Sequence, residues 1–472
     1  VPADDLCFAS VADQAAAFRS GAVSPVELTE ATLDRIRRLD PSLKAFITVT
    51  DEQALLDARR AEADLRAGRD RSPLQGVTVA VKDQMLVEGV RMTGGSRVLD
   101  DVLADRDATV VARLRAAGAV MIGTLNTHEF HAGPTRVFPF GTPRNPWNLD
   151  YAPGGSSSGS ASAVAAGLCT ISLGGDTGGS IRGPAAHCGV VGLKPTWSRI
   201  SRDGIIPLAP TLDVVGPLGR QVDDVAYALA AIAGADPRDP TASRVPVDTY
   251  VEPVATDLRG VRVGVIEELM DPASLSAETI ANTEAAIATL TELGARVERV
   301  RIPLLPHAME LMWALVMGEA IGYHRPWLLE RYAAYDMNTR TRLVAGAIMP
   351  HGVVDAAVRL RARLAAQVAD AFRDHDLLVS PAAEIAPRLP SPGAPAAAPG
   401  GPSPMVAPPT YQAFNMSGHP AISVPSGFGR EGMPLGLQIA GRPFDERRVF
   451  MAARAYEQAA PWYLRRPTAR AL

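Results

Sequence analysis

Apolar positions in the first seventy residues recur with a helical period: Val26, Leu33 and Ile36 form one stripe. Ser24-Pro25-Val26-Glu27 supplies the start of that helix, with a capping serine, a proline at the first helical position and a glutamate that reaches back to the cap. From Gly76 the pattern changes. Val77 to Val81 predicts a strand, Asp107 is placed to cap a helix through Val111 and Leu114, and Gly118 ends that helix before a second strand, Ala119 to Ile122. Strand, helix, strand predicts α/β architecture with parallel pairing.

A stretch rich in Pro, Asp and Thr, from Asp236 to Arg259, then interrupts the pattern. It resumes with a strand, Val261 to Ile266, and a helix around Ile280, Ile287 and Leu290. Pro, Ala and Gly dominate Ala386 to Pro409, which predicts an extended loop, either a lid or a connector. The longest apolar run, Ala161 to Leu173, is short, rich in Ala and Ser and interrupted by Gly167, so it reads as a buried core helix, not a membrane span.

At 472 residues the chain exceeds the size at which one core usually stops growing, which leaves two domains or one large α/β unit. Hydrophobic residues make up 47% and charged residues 21%, as in globular proteins. A net charge of −4 and a pI near 6.1 provide neither a basic footprint for nucleic acid nor a polybasic membrane anchor. The expectation is a small-molecule substrate, with no nucleic acid and no membrane partner; nothing specifies oligomeric state, which leaves room for a homo-oligomer. Cys7, Cys169 and Cys188 match neither a zinc site nor a redox pair, and Val1-Pro2-Ala3-Asp4-Asp5 lacks the basic start of a secretory signal. Both point to a cytoplasmic setting.

The chemistry is concentrated between Pro153 and Pro184, where Pro-Gly-Gly-Ser-Ser-Ser-Gly-Ser-Ala is followed by Gly174-Gly175-Asp176-Thr177-Gly178-Gly179-Ser180-Ile181-Arg182. Consecutive glycines allow successive N–H groups to turn inward and form a concave site for negative charge. Amide hydrolysis needs such a site, because its tetrahedral intermediate carries O⁻ and losing one donor costs about 100- to 1000-fold in rate. The candidates are the N–H groups of Thr177, Gly178, Gly179 and Ser180. A serine nucleophile also needs a base. The histidines form no triad signature, whereas Lys82 ends an apolar strand and is followed by Asp83. A lysine acts as a base when burial keeps it neutral, and Ser156 could bridge the two groups.

These residues resemble the amidase signature hydrolases, whose hallmark is a Gly/Ser-rich block followed by Asp-x-Gly-Gly-Ser-x-Arg. The resemblance extends to Gly118 through Asn126, Gly192-Leu193-Lys194-Pro195-Thr196 and Gly436-Leu437-Gln438-Ile439, and so covers most of the chain. It implies Ser180 as nucleophile, Ser156 on a cis peptide as proton relay and Lys82 as base, with Ser157 and Asp176 in support and His131 near the substrate. It implies no metal and no cofactor. It also implies one domain over 1–472, a large mixed β-sheet covered by helices on both faces: a helical segment 1–70, a signature core 72–235 and a second half 260–472 that completes the sheet and pocket. The expected reaction is acyl transfer from an amide, with carbamates and esters chemically open.

Three rival readings compete with this one. Gly155-Ser156-Ser157-Ser158-Gly159 fits the G-x-S-x-G elbow of α/β-hydrolases with Ser157 as nucleophile, but Asn145 to Pro153 before it is unfit for a central strand. A phosphate-binding module lacks its Gly-Lys-Ser/Thr ending. Within the family, the alternative is the glutamine-hydrolysing subunit of a tRNA-dependent amidotransferase, which works with partner subunits. The acidic residue expected before the Asn415-Met416-Ser417-Gly418 segment is missing, and so is a tyrosine around Met312 and Trp313. A stand-alone amidase is therefore expected, and apart from the resemblance His128, His131, His187 and His419 read as structural or partly exposed.

Overall fold

A computed structural model describes residues 3–251, 257–390 and 410–468. Eleven strands among them form one mixed sheet. In chain order they are β1 (Phe46–Val49), β2 (Thr78–Lys82), β3 (Val120–Leu125), β4 (Ile171–Asp176), β5 (Val191–Lys194), β6 (Val214–Gly219), β7 (Arg262–Ile266), β8 (Arg296–Val300), β9 (Leu377–Pro381), β10 (Ala421–Phe428) and β11 (Pro434–Ala440). Their order across the sheet is β1-β3-β2-β4-β6-β5-β10-β11-β9-β7-β8. β2 runs parallel to both β3 and β4, β7 runs parallel to β8 and β9, and the centre from β4 to β9 is antiparallel.

Alternation along the strands serves two covered faces. Val79 and Val81 of β2 join a core with residues of the helices Thr109–Ala116, Val222–Ile232 and Glu446–Ala459, while Ala80 joins another with Pro25–Leu43 and Ser158–Ala165. The expected large mixed sheet with helices on both faces is what the chain forms. The break after Asp236 does not divide it, because strands from both sides of that segment pair in the same sheet.

Locally, the Ser24 start is as expected, with Ser24 and Glu27 exchanging hydrogen bonds. The strands predicted from Val77, Ala119 and Val261 are β2, β3 and β7, and the helix around Ile280 is Ala277–Glu292. Two expectations need correction. Ala108, not Asp107, occupies the cap position of Thr109–Ala116; the Asp107 carboxylate instead accepts from Glu88 N at 2.8 Å. The run from Ala161 to Leu173 is not one helix: the helix stops at Ala165, Gly167 adopts φ +67°, and Ile171 opens β4. An Ala/Ser run followed by β-formers has no period that separates the two states. Of the proline-rich loop only 386–390 is described, where Arg388 bridges Tyr151; 391–409 lie outside the described residues.

Candidate active site

Parallel pairing of β2 and β4 brings two carboxyl-terminal strand ends to one edge, in the register Val81 to Leu173. That edge is where open α/β sheets bind ligands. Lys82 closes β2 and Asp176 closes β4, and both are fully or almost fully buried. The glycines Gly174 and Gly175 at the end of β4 leave room beside them, since a methyl group at Gly174 would lie 2.8 Å from Ser157 Oγ.

Ser156 and Ser180 each lie just before a short buried helix, Ser158–Ala165 and Arg182–Cys188. The Gly155–Ser156 peptide is cis. Lys82 Nζ and Ser156 Oγ are hydrogen bonded at 2.7 Å. Burial pushes the Lys82 amine down to about 7, against the carboxylates of Asp176 and Asp213, which act to raise it. A neutral lysine is therefore available near neutral pH. Ser157 is wholly buried; its Oγ lies 3.2 Å from Gly175 O, and its N–H reaches Ser180 O at 3.3 Å. Ser157 therefore ties the two serine loops together and is not presented to solvent as an elbow nucleophile would be.

Asp176 organises the glycine turn. Its carboxylate accepts from Gly179 N at 2.7 Å and Ile181 N at 3.2 Å, and it pairs with Arg182 at 3.0 Å. Burial alone would raise this carboxyl, but the Arg182 guanidinium and hydrogen bonds from Arg182 and Asn415 hold it well below the usual carboxylate range. Arg182 also reaches Asn415 at 2.6 Å and Gln438 at 2.7 Å, joining the turn to the second half of the chain. One expectation about the oxyanion donors changes here: the Gly179 N–H is already given to Asp176. Thr177, Gly178 and Ser180 remain. Gly179 must itself be glycine, because φ is +107° and a β-carbon would come within 2.3 Å of the Tyr411 ring.

The serines open onto a cavity of about 530 Å³, within the usual range for small-molecule sites. It is lined by Ser156, Ser180, Gly178, Gly179, His128, His131, Met312, Trp313, Arg342, Glu384 and Tyr411, among others. His131 does reach this wall, with Nε2–H donating to Ile206 O at 3.2 Å. His128 and His187 line it as well. His419 lies elsewhere, stacked on Phe372.

Sequence reasoning missed Asp213 and Arg342. Asp213 accepts from Thr177 Oγ1 at 2.6 Å. Arg342, on the helix Met337–Ile348, donates to Ala132 O at 2.8 Å and lies over the Trp313 ring at 4.9 Å. The start of its helix is pinned by buried Glu129, which accepts from Asp336 N at 2.9 Å and Ser96 Oγ at 2.6 Å. Neither residue carries a local sequence signal; only the fold brings them here. Among the described residues no group of three or more His, Cys, Asp or Glu side chains is arranged to hold a metal ion.

A family model described as Amidase matches residues 27–450. The chain belongs to the amidase family. It is an enzyme of a family that acts on carbon–nitrogen bonds. The A subunit of glutamyl-tRNA(Gln) amidotransferase from Moorella thermoacetica is 40% identical over 94% of this amidase chain and 95% of its own length. Among solved structures, peptide amidase from Stenotrophomonas maltophilia aligns with a TM-score of 0.84 at 31% identity, covering 97% of this chain and 98% of that one. The corresponding amidotransferase subunit from Thermotoga maritima aligns with a TM-score of 0.77 at 31% identity, covering 93% and 92%.

These relatives correct the expected partners. Composition and charge pointed to a small-molecule substrate without nucleic acid. The matched relatives are named as one subunit of an enzyme and carry a tRNA in that name. The physical reason for the error is that a modest net negative charge reports on the average surface, not on one face or on a surface supplied by a different polypeptide. No single helix among the described residues is long and apolar enough to cross a membrane.

Proposed function

We propose that this amidase hydrolyses the side-chain amide of glutamine as the glutaminase component of a tRNA-dependent amidotransferase, working with partner subunits in the cytoplasm. In this reading the whole chain is one catalytic unit. Ser180 attacks the amide carbonyl, Ser156 takes the Ser180 proton and passes its own to neutral Lys82, and the proton returns to the leaving ammonia. Water then releases the acyl group from Ser180. N–H groups of Thr177, Gly178 and Ser180 hold the oxyanion, while Asp176 and Ser157 fix the two loops.

The observation that carries this reading is the buried 2.7 Å contact between Lys82 and Ser156 at the wall of the cavity that Ser180 enters. The choice of glutamine is supported by the relatives and by Arg342. Beyond its bond to Ala132 O, the guanidinium has no carboxylate partner within ion-pair distance among the described residues, so it suits the α-carboxylate of an amino acid. Ammonia release from glutamine, measured with wild type and Ser180→Ala, tests the proposal. Release by wild type and none by the variant is expected. Wild-type rates from Ser180→Ala would overturn the nucleophile, and turnover of peptide or aryl amides but not glutamine would overturn the substrate.

A further inference from the structure

His128 and His131 belong to one backbone segment in which Phe130 and His131 adopt positive φ, and their rings are held in the same Nε2–H tautomer with different partners. The backbone N–H of Thr135 donates to His128 Nδ1 at 2.8 Å. A backbone N–H can only donate, so Nδ1 of the neutral ring is the acceptor and the proton sits on Nε2. His131 differs in its partner: its Nε2 faces the Ile206 carbonyl, which can only accept, and its Nδ1 is buried without a partner among the described residues. The His131 Nε2–H is thus spent on the protein, whereas that of His128 is not.

His128 Nε2–H is therefore a fixed donor. The ring is 3% exposed, lines the catalytic cavity and leans on Phe138 at 4.9 Å. Its Nε2 edge lies against Gly155, where a β-carbon would come within 2.2 Å, and its backbone N–H donates to Ser156 O at 3.2 Å. Among the described residues nothing accepts from Nε2. Burial, followed by the charges of Lys82 and Arg342, pushes the imidazole down to about 3, so the ring stays neutral at physiological pH.

Donors on the cavity wall include the Arg342 guanidinium, whose one bond is to Ala132 O, and His128 Nε2–H; the Tyr411 hydroxyl on that wall is likewise without a partner among the described residues. Among the described residues its one carboxylate, Glu384, is already held by Ser276, Thr279 and Ile385 N. An acceptor must come with the substrate. We propose that His128 is a substrate-binding residue whose Nε2–H, beside Arg342, grips a carboxylate on the acyl part of the substrate, which makes monoamides of dicarboxylic acids the preferred class. This rests on the assignment of Ser180 as nucleophile and extends the glutamine proposal to any amide with an acyl carboxylate at similar reach.

The test measures binding, so that it does not depend on turnover. In a Ser180→Ala background, titration calorimetry with glutaramate and pentanamide compares two amides of equal chain length that differ in the carboxylate. Glutaramate should bind more tightly. His128→Leu should cut that preference about tenfold or more, the size of a lost hydrogen bond to a charged group. His128→Gln, whose amide nitrogen can stand in for Nε2–H, should restore most of it. A merely structural role would weaken both ligands together and leave their ratio unchanged, and that result would overturn the proposal. So would equal affinity of the two amides before His128 is changed. Failure of wild type to release ammonia from glutamine would reject the glutamine substrate alone, because the calorimetric ratio is read separately.

Discussion

Two buried lysines close two strands of the same sheet, and only one of them faces a hydroxyl. Lys82 ends β2 and Lys194 ends β5; burial pushes each down to about 7. Their neighbours differ. Lys82 meets Ser156 Oγ at the cavity wall and feels the carboxylates of Asp176 and Asp213. Lys194 donates to the backbone carbonyl of Pro195 at 2.9 Å, is further lowered by the Arg182 charge, and feels Asp176 and Glu446. Burial is thus enough to make a lysine neutral and insufficient to make it a base. A proton donor in reach, connected to a cavity, makes the difference.

The largest effect expected is at the nucleophile: Ser180→Ala should lower kcat for an amide by about 10⁴-fold or more, measured by ammonia release. Lys82→Ala should cost about 10²- to 10⁴-fold, the range for a lost acid–base group, and should impair an amide more than its matched ester because the amine leaves only with a proton. Equal losses on both substrates would break the comparison from the Lys82 side. The wild-type pH profile comes next. Lys82 works when neutral, so kcat/KM should rise about tenfold per pH unit below 7 and level off above it. Asp213→Asn should move that midpoint downward, because it removes a carboxylate that favours the charged amine, and should leave Lys194 unaffected. The smallest effect belongs to Lys194→Met, a swap of similar volume away from the cavity, which should leave kcat within about threefold. A loss as large as that of Lys82→Ala would erase the distinction.

Much of the proposed catalytic apparatus could be read in the sequence because it is local. Ser156, Ser157, Asp176 and Ser180 sit in one glycine-rich tract, and Lys82 follows a run of β-formers that marks the strand. The strand–helix–strand pattern implied the parallel pairing of β2 with β3, whereas the edge these residues share comes from parallel β2 and β4, a pairing the sequence did not show because the start of β4 lay in the run read as a helix. Arg342 and Asp213 were not legible. Each lies outside the glycine-rich tract, on elements whose own pattern says only helix or loop, and proximity arises from packing. His128 was visible as a residue but not as a donor, since its tautomer is set by the Thr135 N–H through a turn that no periodicity encodes. The mistaken helix at Ala161–Leu173 has a related cause: small residues suit both a helix pressed against the sheet and the turn that follows it.

The protein contains three lysines, and Lys44, the third, is exposed. Labelling lysine with ¹⁵N at Nζ therefore yields three resonances, assignable with Lys194→Met and Lys82→Ala. The Lys82 resonance is expected to titrate with a midpoint near 7 and to shift in Ser156→Ala, which removes its hydrogen-bond partner. A Lys82 amine that stays charged to the ordinary lysine range, or one that ignores the loss of Ser156, would contradict that expectation.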